Sequence, residues 1–319
     1  MLSLPSVVVA AASLLSAAVN GMALPSSAPS SPAAPLSASA ADTASPPSAT
    51  TLSKQNIWHP APSTPWQIVL QNPLRLPAST TPVVPDVPIY NIDLFTNTPS
   101  TISRLRSHGK KVICYFSAGT YEPDRPDSHL FAKEDLGKGL PEWPGERWVR
   151  TGSPAIRKIM SDRIALAKQK GCDAVDPDNV DGYDNDNGLG LTRADAVSYV
   201  RFLAAEAHKH GMACSLKNAG GIIHDVLDVV QFAVVEQCVL YNECKIYQPF
   251  IRQGKAVLHI EYPPGLTFGG TGKDSEGEVK KFCNAKDTGG FSTVLKKMNL
   301  DGWVRYCDGT EANTPMDTS

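Results

Sequence analysis

Short apolar runs and longer helical patterns alternate along the chain from Trp58 onward. The apolar runs are rich in β-branched and aromatic residues, which favour strands. They predict eight strands, at residues 66–70, 88–95, 111–118, 173–179, 213–218, 232–237, 256–262 and 292–298.

Helical spacing of apolar residues fills several of the intervals between these strands, at residues 102–109, 153–171 and 191–211. The second segment opens with Ser153 and Pro154, a typical helix start. The third opens with Thr192, has Asp195 three residues later, and ends at Gly211. Strands that alternate with helices indicate a parallel sheet with right-handed crossovers.

Eight such units in a single α/β domain, residues 55–309, favour a closed (β/α)8 TIM barrel over an open doubly wound sheet. Neither a GxGxxG sequence nor a P-loop follows the first strand, which removes the usual reason to prefer the open fold. We expect the domain to act as a monomer.

The two ends of the chain have different compositions from this domain. Residues 1–23 contain an apolar stretch from about Val7 to Val19 and predict a signal peptide, although no Lys or Arg precedes the stretch. An uncleaved anchor is the alternative, but the stretch is short for a membrane span of about 20 residues. Residues 24–54, which are mostly Ser, Pro, Ala and Thr, predict a disordered linker, and residues 310–319 predict a polar tail.

The chain is therefore expected to be extracellular, with membrane attachment only if the anchor stays uncleaved. Seven cysteines in a secreted chain predict disulfides with at least one thiol left over. Sequence does not fix their connectivity, but the positions suggest three pairs: Cys114 with Cys172, Cys238 with Cys244, and Cys283 with Cys307, leaving Cys214 free. A formal net charge of -2 gives no general attraction for nucleic acid.

Polar residues gather at the carboxyl ends of the predicted strands, where TIM barrels carry their chemistry. They are Asp93, Ser117, Asp176, Asp178, Lys217, Asn218, Glu236 and Glu261. Because strand side chains alternate, Asp176 and Asp178 share one face with Ala174.

Two carboxylates from different strands across a barrel mouth suit glycoside hydrolysis, in which one protonates the leaving oxygen and the other attacks carbon or activates water. We predict Asp178 and Glu236 as this pair, with Asp176 as the competing catalytic residue. Ser117 lies in no nucleophile-elbow sequence.

Seven ordered segments resemble glycoside hydrolase family 114, the endo-α-1,4-polygalactosaminidase family, over about residues 57–263. They are YNIDLF, VICYFSAGTYEPDRPD, PEWPGERWV, KGCDAVDPDNVDGY, SLKN, VVEQCVLYNEC and GKAVLHIEY. The resemblance implies a secreted TIM-barrel endo-hydrolase of galactosamine polysaccharide that uses no cofactor or metal, with Asp178 and Glu236 at the family's catalytic positions. The chain departs from the family pattern at two positions. Asn91 stands where the family usually has an acid, which puts the charge of a sugar subsite in question. Asp176 stands where the family often has a Glu, which puts fine specificity in question.

A partly deacetylated galactosamine polymer is cationic near neutral pH, so acids around the mouth would attract it, and aromatic rings would stack on sugars or ammonium groups. The residues predicted to bind substrate are Asp93, Tyr115, Asp181, Tyr183, Lys217, Asn218 and Glu261.

The sequence gives only a weak indication of a metal-binding site. Asp181, Asp184 and Asp186 could form a calcium loop, but a bidentate Glu at the EF-hand position is missing. The histidines have no zinc-site spacing. Two rivals to the glycosidase are a noncatalytic polysaccharide-binding barrel and a metal-dependent polysaccharide deacetylase.

Overall fold

The described part of the chain, residues 57–76, 81–263 and 276–317 of a computed structural model, contains thirteen strands. They are β1 (Trp66–Val69), β2 (Ile89–Asp93), β3 (Lys111–Ser117), β4 (Thr120–Tyr121), β5 (Leu136–Leu140), β6 (Trp143–Val149), β7 (Ala174–Asp178), β8 (Ala213–Lys217), β9 (Phe232–Glu236), β10 (Val257–Glu261), β11 (Ser292–Leu295), β12 (Trp303–Tyr306) and β13 (Glu311–Asn313). The signal peptide and linker predicted for residues 1–54 lie outside the described residues.

Eight of these strands, β1, β2, β3, β7, β8, β9, β10 and β11, pair in parallel in that order. Each lies within the bounds predicted from the sequence. The predicted (β/α)8 barrel is therefore confirmed in its strand order and direction. All described residues belong to one compact unit.

Six α-helices accompany the strands in the part of the chain that the structure describes: α1 (Pro99–Ser107), α2 (Pro154–Lys170), α3 (Arg193–Lys209), α4 (Ile223–Val226), α5 (Gln248–Arg252) and α6 (Glu276–Cys283). The capping box predicted for α3 is present, with Thr192 and Asp195 bonding to each other's backbone N–H. Ser153 precedes α2 as predicted, but its hydroxyl donates to Asp135 Oδ2 at 2.7 Å instead of accepting from the helix. No described helix is long and apolar enough to cross a lipid bilayer.

The seam between β11 and β1 is bridged mainly by side chains. The Trp66 indole donates to the Ser292 carbonyl at 2.7 Å, and the Tyr306 hydroxyl donates to the Trp66 carbonyl at 3.1 Å. β12 and β13 continue the sheet antiparallel beyond β11. In the described chain, β1 leads to β2 without an intervening helix.

Side-chain alternation divides the core into two layers. One fills the barrel interior and includes Ile68, Ile89, Ile113, Phe232 and Leu258. The other packs the outward faces of the strands against the helices. The parity of a residue on its strand thus decides whether it looks into the barrel or toward the helices.

Two segments differ from the sequence prediction. A three-stranded antiparallel sheet of order β4-β6-β5 is inserted between β3 and α2, where the apolar pattern is too weak to show strands. The segment predicted as a polar tail contains β13, and Met316 then pairs with Leu74 near the start of the domain. Buried Thr314, which accepts from Gln67 at 2.9 Å, ties this segment into the folded body.

Three disulfides join the pairs suggested by the positions of the cysteines along the chain. They link Cys114 with Cys172, Cys238 with Cys244, and Cys283 with Cys307. Cys214 is free and buried. The first disulfide ties β3 to the start of β7, and the second closes a short loop directly after β9.

Candidate active site

Inward-facing residues near the carboxyl ends of β3, β7, β8 and β9 meet at the barrel mouth. Asp178 follows Ala174 and Asp176 on the interior face of β7, and Glu236 follows Phe232 and Val234 on that of β9. Parallel strands end at the same edge, so these side chains converge. The structure brings together Tyr115, Asp178, Lys217, Asn218 and Glu236.

The backbone turns sharply at the ends of β7, β8 and β9. Asn179, Asn218 and Gln237 each follow the last residue of a strand, and each has a left-handed conformation, with φ of 60°, 48° and 57°. Non-glycine residues adopt this region rarely, and such backbone strain concentrates at functional sites. The turns leave Asp178, Lys217 and Glu236 as the final strand residues facing the mouth.

Gly119 makes one of these turns possible. A Cβ on this residue would lie 1.6 Å from the backbone oxygen of Asn179, so only glycine fits. The Gly119 and Ala118 backbone N–H groups both donate to the Asp178 carbonyl, at 3.0 and 2.9 Å. The β3 loop thereby fixes the position of Asp178.

Lys217 lies between the two predicted catalytic carboxylates. Its Nζ is 3.0 Å from Asp178 Oδ1 and 2.5 Å from Glu236 Oε2. Although burial opposes the charge, these two carboxylates raise the pKa of Lys217 above its ordinary value. The ammonium therefore stays charged and fixes the positions of the two carboxylates relative to each other.

Further donors orient the two acids. Asp178 Oδ2 accepts from the Tyr115 hydroxyl at 2.8 Å, and Oδ1 accepts from the Asn179 N–H at 2.7 Å. Glu236 Oε1 accepts from the Tyr262 hydroxyl at 2.5 Å, and Oε2 accepts from the Asn218 amide at 3.2 Å. Burial alone would raise the pKa of Glu236, but Lys217 and these donors hold it below its ordinary value.

Asp176 lies one layer below, fully buried inside the barrel. Its carboxylate accepts from the Asn91 amide at 2.7 Å and from the Ser215 hydroxyl at 2.5 Å. Burial raises the pKa of Asp176 to about 6, against the opposing charge of Lys217. Asp176 therefore lies beneath the site, where its carboxylate favours the charged form of Lys217.

The two departures from the family pattern are partners in this lower layer. Asn91 is fully buried and bonds to Asp176. The sequence suggested that Asn91 trims a charge in a sugar subsite, and its position inside the barrel shows that it does not reach the cleft. An amide opposite Asp176 instead avoids placing two buried carboxylates side by side.

A cleft of about 770 Å³ opens above the catalytic pair. Seven acids and two bases line it: Asp93, Glu122, Glu142, Glu146, Asp178, Asp181 and Glu236, with Arg125 and Lys217. Arg125 pairs with Asp93 and Glu122, at 2.7 Å to each, and Lys217 pairs with the catalytic acids. Among the described residues, Glu142, Glu146 and Asp181 have no salt-bridge partner, so the cleft carries excess negative charge.

The pKa values of two of these acids are raised toward neutrality. Burial, followed by the charge on Glu122, raises the pKa of Glu146 to about 7. Burial and the nearby Asp178 carboxylate raise the pKa of Asp181 to about 6. A cationic ligand would replace the missing counter-charge and favour the ionised form of both acids.

Three of the residues predicted to bind substrate either bond to other residues of the chain or lie outside the cleft lining. Asp93 lines the cleft but is 2% exposed and accepts from the Phe95 and Thr96 N–H groups as well as pairing with Arg125. Tyr183 packs against Gly221 and is absent from the cleft lining. Glu261 points away from the mouth and binds His259 at 2.9 Å and the Val239 N–H at 2.7 Å.

Strand parity explains the position of Glu261. Leu258, Ile260 and Tyr262 face the barrel interior, so Glu261 faces the opposite layer, and the adjacent Tyr262 reaches the site. Tyr262 was recognisable only as one of several aromatic residues. Glu146 and Trp143, on β6 of the unpredicted sheet, line the cleft. Both lie in the family segment PEWPGERWV, but the sequence assigned neither of them a role.

The structure also bears on the metal alternatives. Asp186 pairs with Lys138 at 2.7 Å. Among the described residues, Asp181, Asp184 and Asp186 do not form a group whose carboxylate oxygens lie close enough together to hold a metal ion. In the described chain, one group could place three metal-ligating atoms together, Cys238, Cys244 and His259, and its two sulfurs form a disulfide.

Comparison with known proteins identifies the family. The profile of glycoside-hydrolase family GH114 matches residues 47–312. The crystal structure of Ega3 from Aspergillus fumigatus in complex with galactosamine is 50% identical, with a TM-score of 0.74, covering 78% of this chain and 97% of that one. Two structures of the glycoside hydrolase domain of PelA from Pseudomonas aeruginosa, one of them a variant, share the fold at 14% and 13% identity, with TM-scores of 0.55 and 0.51.

The first PelA structure covers 75% of this chain and 96% of its own, and the second 73% and 95%. No curated protein sequence matches this chain. The profile match over most of the chain, together with the carboxylate pair at the barrel mouth, establishes that this protein is a glycoside hydrolase of family GH114.

Proposed function

We propose that the chain is an extracellular endo-glycosidase that cleaves α-1,4-linked galactosamine-containing polysaccharide, with Asp178 as nucleophile and Glu236 as general acid and base. The observation that carries the proposal is the contact of one ammonium group, that of Lys217, with both carboxylates at the floor of an open cleft. The galactosamine in the complex of the 50% identical Ega3 supports the choice of sugar.

The spacing of the acids favours retention of anomeric configuration. Asp178 Oδ1 and Glu236 Oε2 are no more than about 5.5 Å apart, the combined length of their contacts with Lys217. Carboxyl groups about 5 to 5.5 Å apart are typical of retaining enzymes, whereas inverting enzymes separate them by about 6.5 to 9.5 Å to admit water.

In a retaining reaction, Asp178 attacks the anomeric carbon while Glu236 gives its proton to the leaving glycosidic oxygen. The resulting glycosyl ester on Asp178 is then hydrolysed by water, which Glu236 deprotonates. Tyr115 and Asn179 hold Asp178 in line for the attack. Tyr262 and Asn218 hold Glu236 near the leaving oxygen.

The charge of the cleft supports a cationic substrate. Glu142, Glu146 and Asp181 are acids without salt-bridge partners in the described chain, and all three line the cleft. An N-deacetylated galactosamine unit carries an ammonium group, so a polymer rich in such units would be attracted electrostatically. Trp143, which is 51% exposed at the rim, offers a face for sugar stacking.

The three disulfides support an extracellular location, because such bonds persist in oxidising compartments. The distribution of the protein between culture medium and cells tests this part of the proposal, and retention of the whole population inside the cells would contradict it.

The test of function is product mass profiling with α-1,4-linked galactosamine oligosaccharides of defined acetylation. We expect internal cleavage by the wild-type chain, and a drop in turnover of about 10²-fold to 10⁴-fold or more for Asp178→Asn and Glu236→Gln. Asp186→Asn, an exposed acid paired with Lys138, is the matched control and should leave turnover unchanged.

Three other outcomes would contradict the proposal or its residue assignment. Retention of the oligosaccharide without new reducing ends would indicate a binding barrel. Release of acetate that stops with a chelator would indicate a deacetylase. Unchanged turnover in both amide variants would dismiss the residue assignment.

A further inference from the structure

Two layers of polar side chains connect the inward faces of β7 and β8, one above the other. The upper layer contains the contact of Lys217 with Asp178 at 3.0 Å, and the lower layer contains that of Ser215 with Asp176 at 2.5 Å. Residues two apart on a strand face the same side and are separated by about 6.6 Å along it. Asp176 therefore lies one layer beneath the catalytic pair, fully buried and outside the cleft lining.

The carboxylate of Asp176 has no salt-bridge partner among the described residues. Both of its hydrogen-bond donors are neutral, the Asn91 amide and the Ser215 hydroxyl. The positive charge that acts on it is that of Lys217, whose ammonium bonds to Asp178 and Glu236 in the layer above. A buried carboxylate is costly unless a nearby charge compensates it. Three carboxylates therefore depend on the charge of one ammonium group.

The charged members of the surroundings of Asp176 are Asp178 on β7 and Lys217 on β8. Tyr115 pairs with Asp176 across β3 and β7, and Cys214 lies on β8. Burial raises the pKa of both of these groups, so they are neutral near neutral pH. The titratable groups near Glu236 are Asp178, Asp181, Asp184, Lys217, Glu243 and Tyr262.

Asn91 makes the lower layer suitable for either protonation state of Asp176. Its amide nitrogen donates to Asp176 Oδ2 at 2.7 Å, whereas its buried Oδ1 has no hydrogen-bond partner among the described residues. Rotation of the amide by half a turn would offer this oxygen as an acceptor to a protonated carboxyl group. Because burial raises the pKa of Asp176 to about 6, the change between its two forms falls near neutral pH.

We propose that Asp176 is a positioning residue that acts through its charge on Lys217 and Glu236 and thereby sets the upper pH limit of activity. The negative charge of Asp176 offsets part of the effect of Lys217 on Glu236. Glu236 therefore keeps its proton to higher pH and remains a general acid there. This inference rests on the proposed function and adds a residue that does not touch the substrate.

The experiment measures kcat/KM against pH for the full chain and its variants, with α-1,4-linked galactosamine oligosaccharides as substrates. Asp176→Asn keeps the size of the side chain and its capacity to bond to Ser215 and Asn91, but it removes the charge. We expect the basic limb of its pH–rate profile to move to lower pH by about half a unit, as for a unit charge one layer away. Asp176→Glu keeps the charge and should return the limb toward that of the wild type.

Ser215→Ala is the matched control, because it removes a hydrogen bond to Asp176 but leaves the charge in place. Its basic limb should coincide with that of the wild type. Asp176→Ser is a second uncharged variant and should show the same shift as Asp176→Asn, so a folding defect in one of the two does not decide the outcome.

NMR titration of the Glu236 carboxyl carbon measures the same effect without turnover, and the pKa of Glu236 should be lower in Asp176→Asn than in the wild type. A basic limb and a Glu236 titration that stay unchanged in Asp176→Asn, or that move equally in Ser215→Ala, would overturn the inference and leave the proposed function intact. A wild-type chain that cleaves none of the oligosaccharides would overturn the proposed function, and with it the role of Asp176 in activity. The NMR titration decides in either case whether the charge of Asp176 acts on Glu236.

Discussion

Lys217 contacts both carboxyl groups at the barrel mouth, so its charge influences the protonation of each. It is buried and lies 2.5 Å from Glu236, whose pKa it lowers. A general acid must be protonated to act, and its pKa sets the upper pH limit of activity. Removal of the Lys217 charge should therefore change the upper pH limit of activity if Glu236 is the general acid.

We expect Lys217→Met to raise the pKa of Glu236 and to move the basic limb of the pH–rate profile to higher pH. Poorer positioning of the two acids should also lower kcat by about 10²-fold. The measurement is kcat/KM against pH for both proteins. A shift of the acidic limb alone would instead assign Glu236 as the nucleophile.

Asn91 and Asp176 lie beneath the site and affect the pH dependence of stability. The pKa of Asp176 is raised to about 6, so the folded state keeps a proton that the unfolded state loses at lower pH. This contribution to stability is present at acidic pH and disappears as the pH rises through about 6.

Asn91→Asp would place a second carboxyl group against Asp176 inside the barrel. The carboxyl groups of residue 91 and Asp176 would then share one proton, because two buried charges side by side are unfavourable. The pKa of one of them rises further, and the free energy of unfolding falls over a wider pH range. We expect the free energy of unfolding to fall by about 3 kcal/mol at pH 8 and by less at pH 5, measured by denaturant titration. Exposed Asn185→Asp serves as the control, and an equal cost at both pH values would refute this account.

At the scale of elements, the eight barrel strands were predictable because their apolar runs are bounded by polar turns, and each observed strand lies within its predicted bounds. β5, with the sequence LGKGL, has no such pattern, because its side chains are mostly exposed or absent. Its sheet is held by pairing with β6, which brings Glu146 and Trp143 to the cleft. The family segment PEWPGERWV contains both residues, but their position at the cleft follows only from the structure.

Strand parity, which places Asp176 and Asp178 on one face of β7, can also be read from the sequence of β10. Applied to β10, it places Ile260 and Tyr262 on one face and Glu261 on the other, as observed. The contacts among Asp178, Lys217 and Glu236 followed from strand ends that share an edge. The left-handed turns that aim them had no sequence signal beyond two asparagines.

The disulfides link elements of the fold, and their removal should lower the free energy of unfolding by different amounts. Cys114 and Cys172 are 58 residues apart, and Cys238 and Cys244 are 6 apart. Loop entropy predicts that the free energy of unfolding falls by about 4 kcal/mol when the first pair is replaced by alanines, and by about 2 kcal/mol for the second. Equilibrium denaturation checks the order, and a larger decrease from the second pair would contradict it.

At the scale of the whole molecule, the two ends of the barrel domain meet. The Arg75 N–H donates to the Pro315 carbonyl at 2.9 Å, and Gln67 donates to the Gly302 carbonyl and to Thr314 across the seam. Polar composition concealed this role, because residues 310–317 contain few apolar side chains to indicate packing.

Deletion of residues 310–319 should therefore destabilise the barrel. It removes β13 and leaves the buried amide of Gln67 without one of its partners, which costs about 1 to 3 kcal/mol for the amide alone. A lower thermal unfolding temperature is expected. An unchanged temperature would mean that these residues are a tail after all.

Asp178 and Glu236, held together by Lys217, are expected to cleave galactosamine polysaccharide with retention of configuration. The most direct test is NMR of the first products formed from an α-1,4-linked galactosamine polymer. New reducing ends should appear first in the α configuration. Products that appear first in the β configuration, or a polymer that gains no reducing ends, would contradict this mechanism.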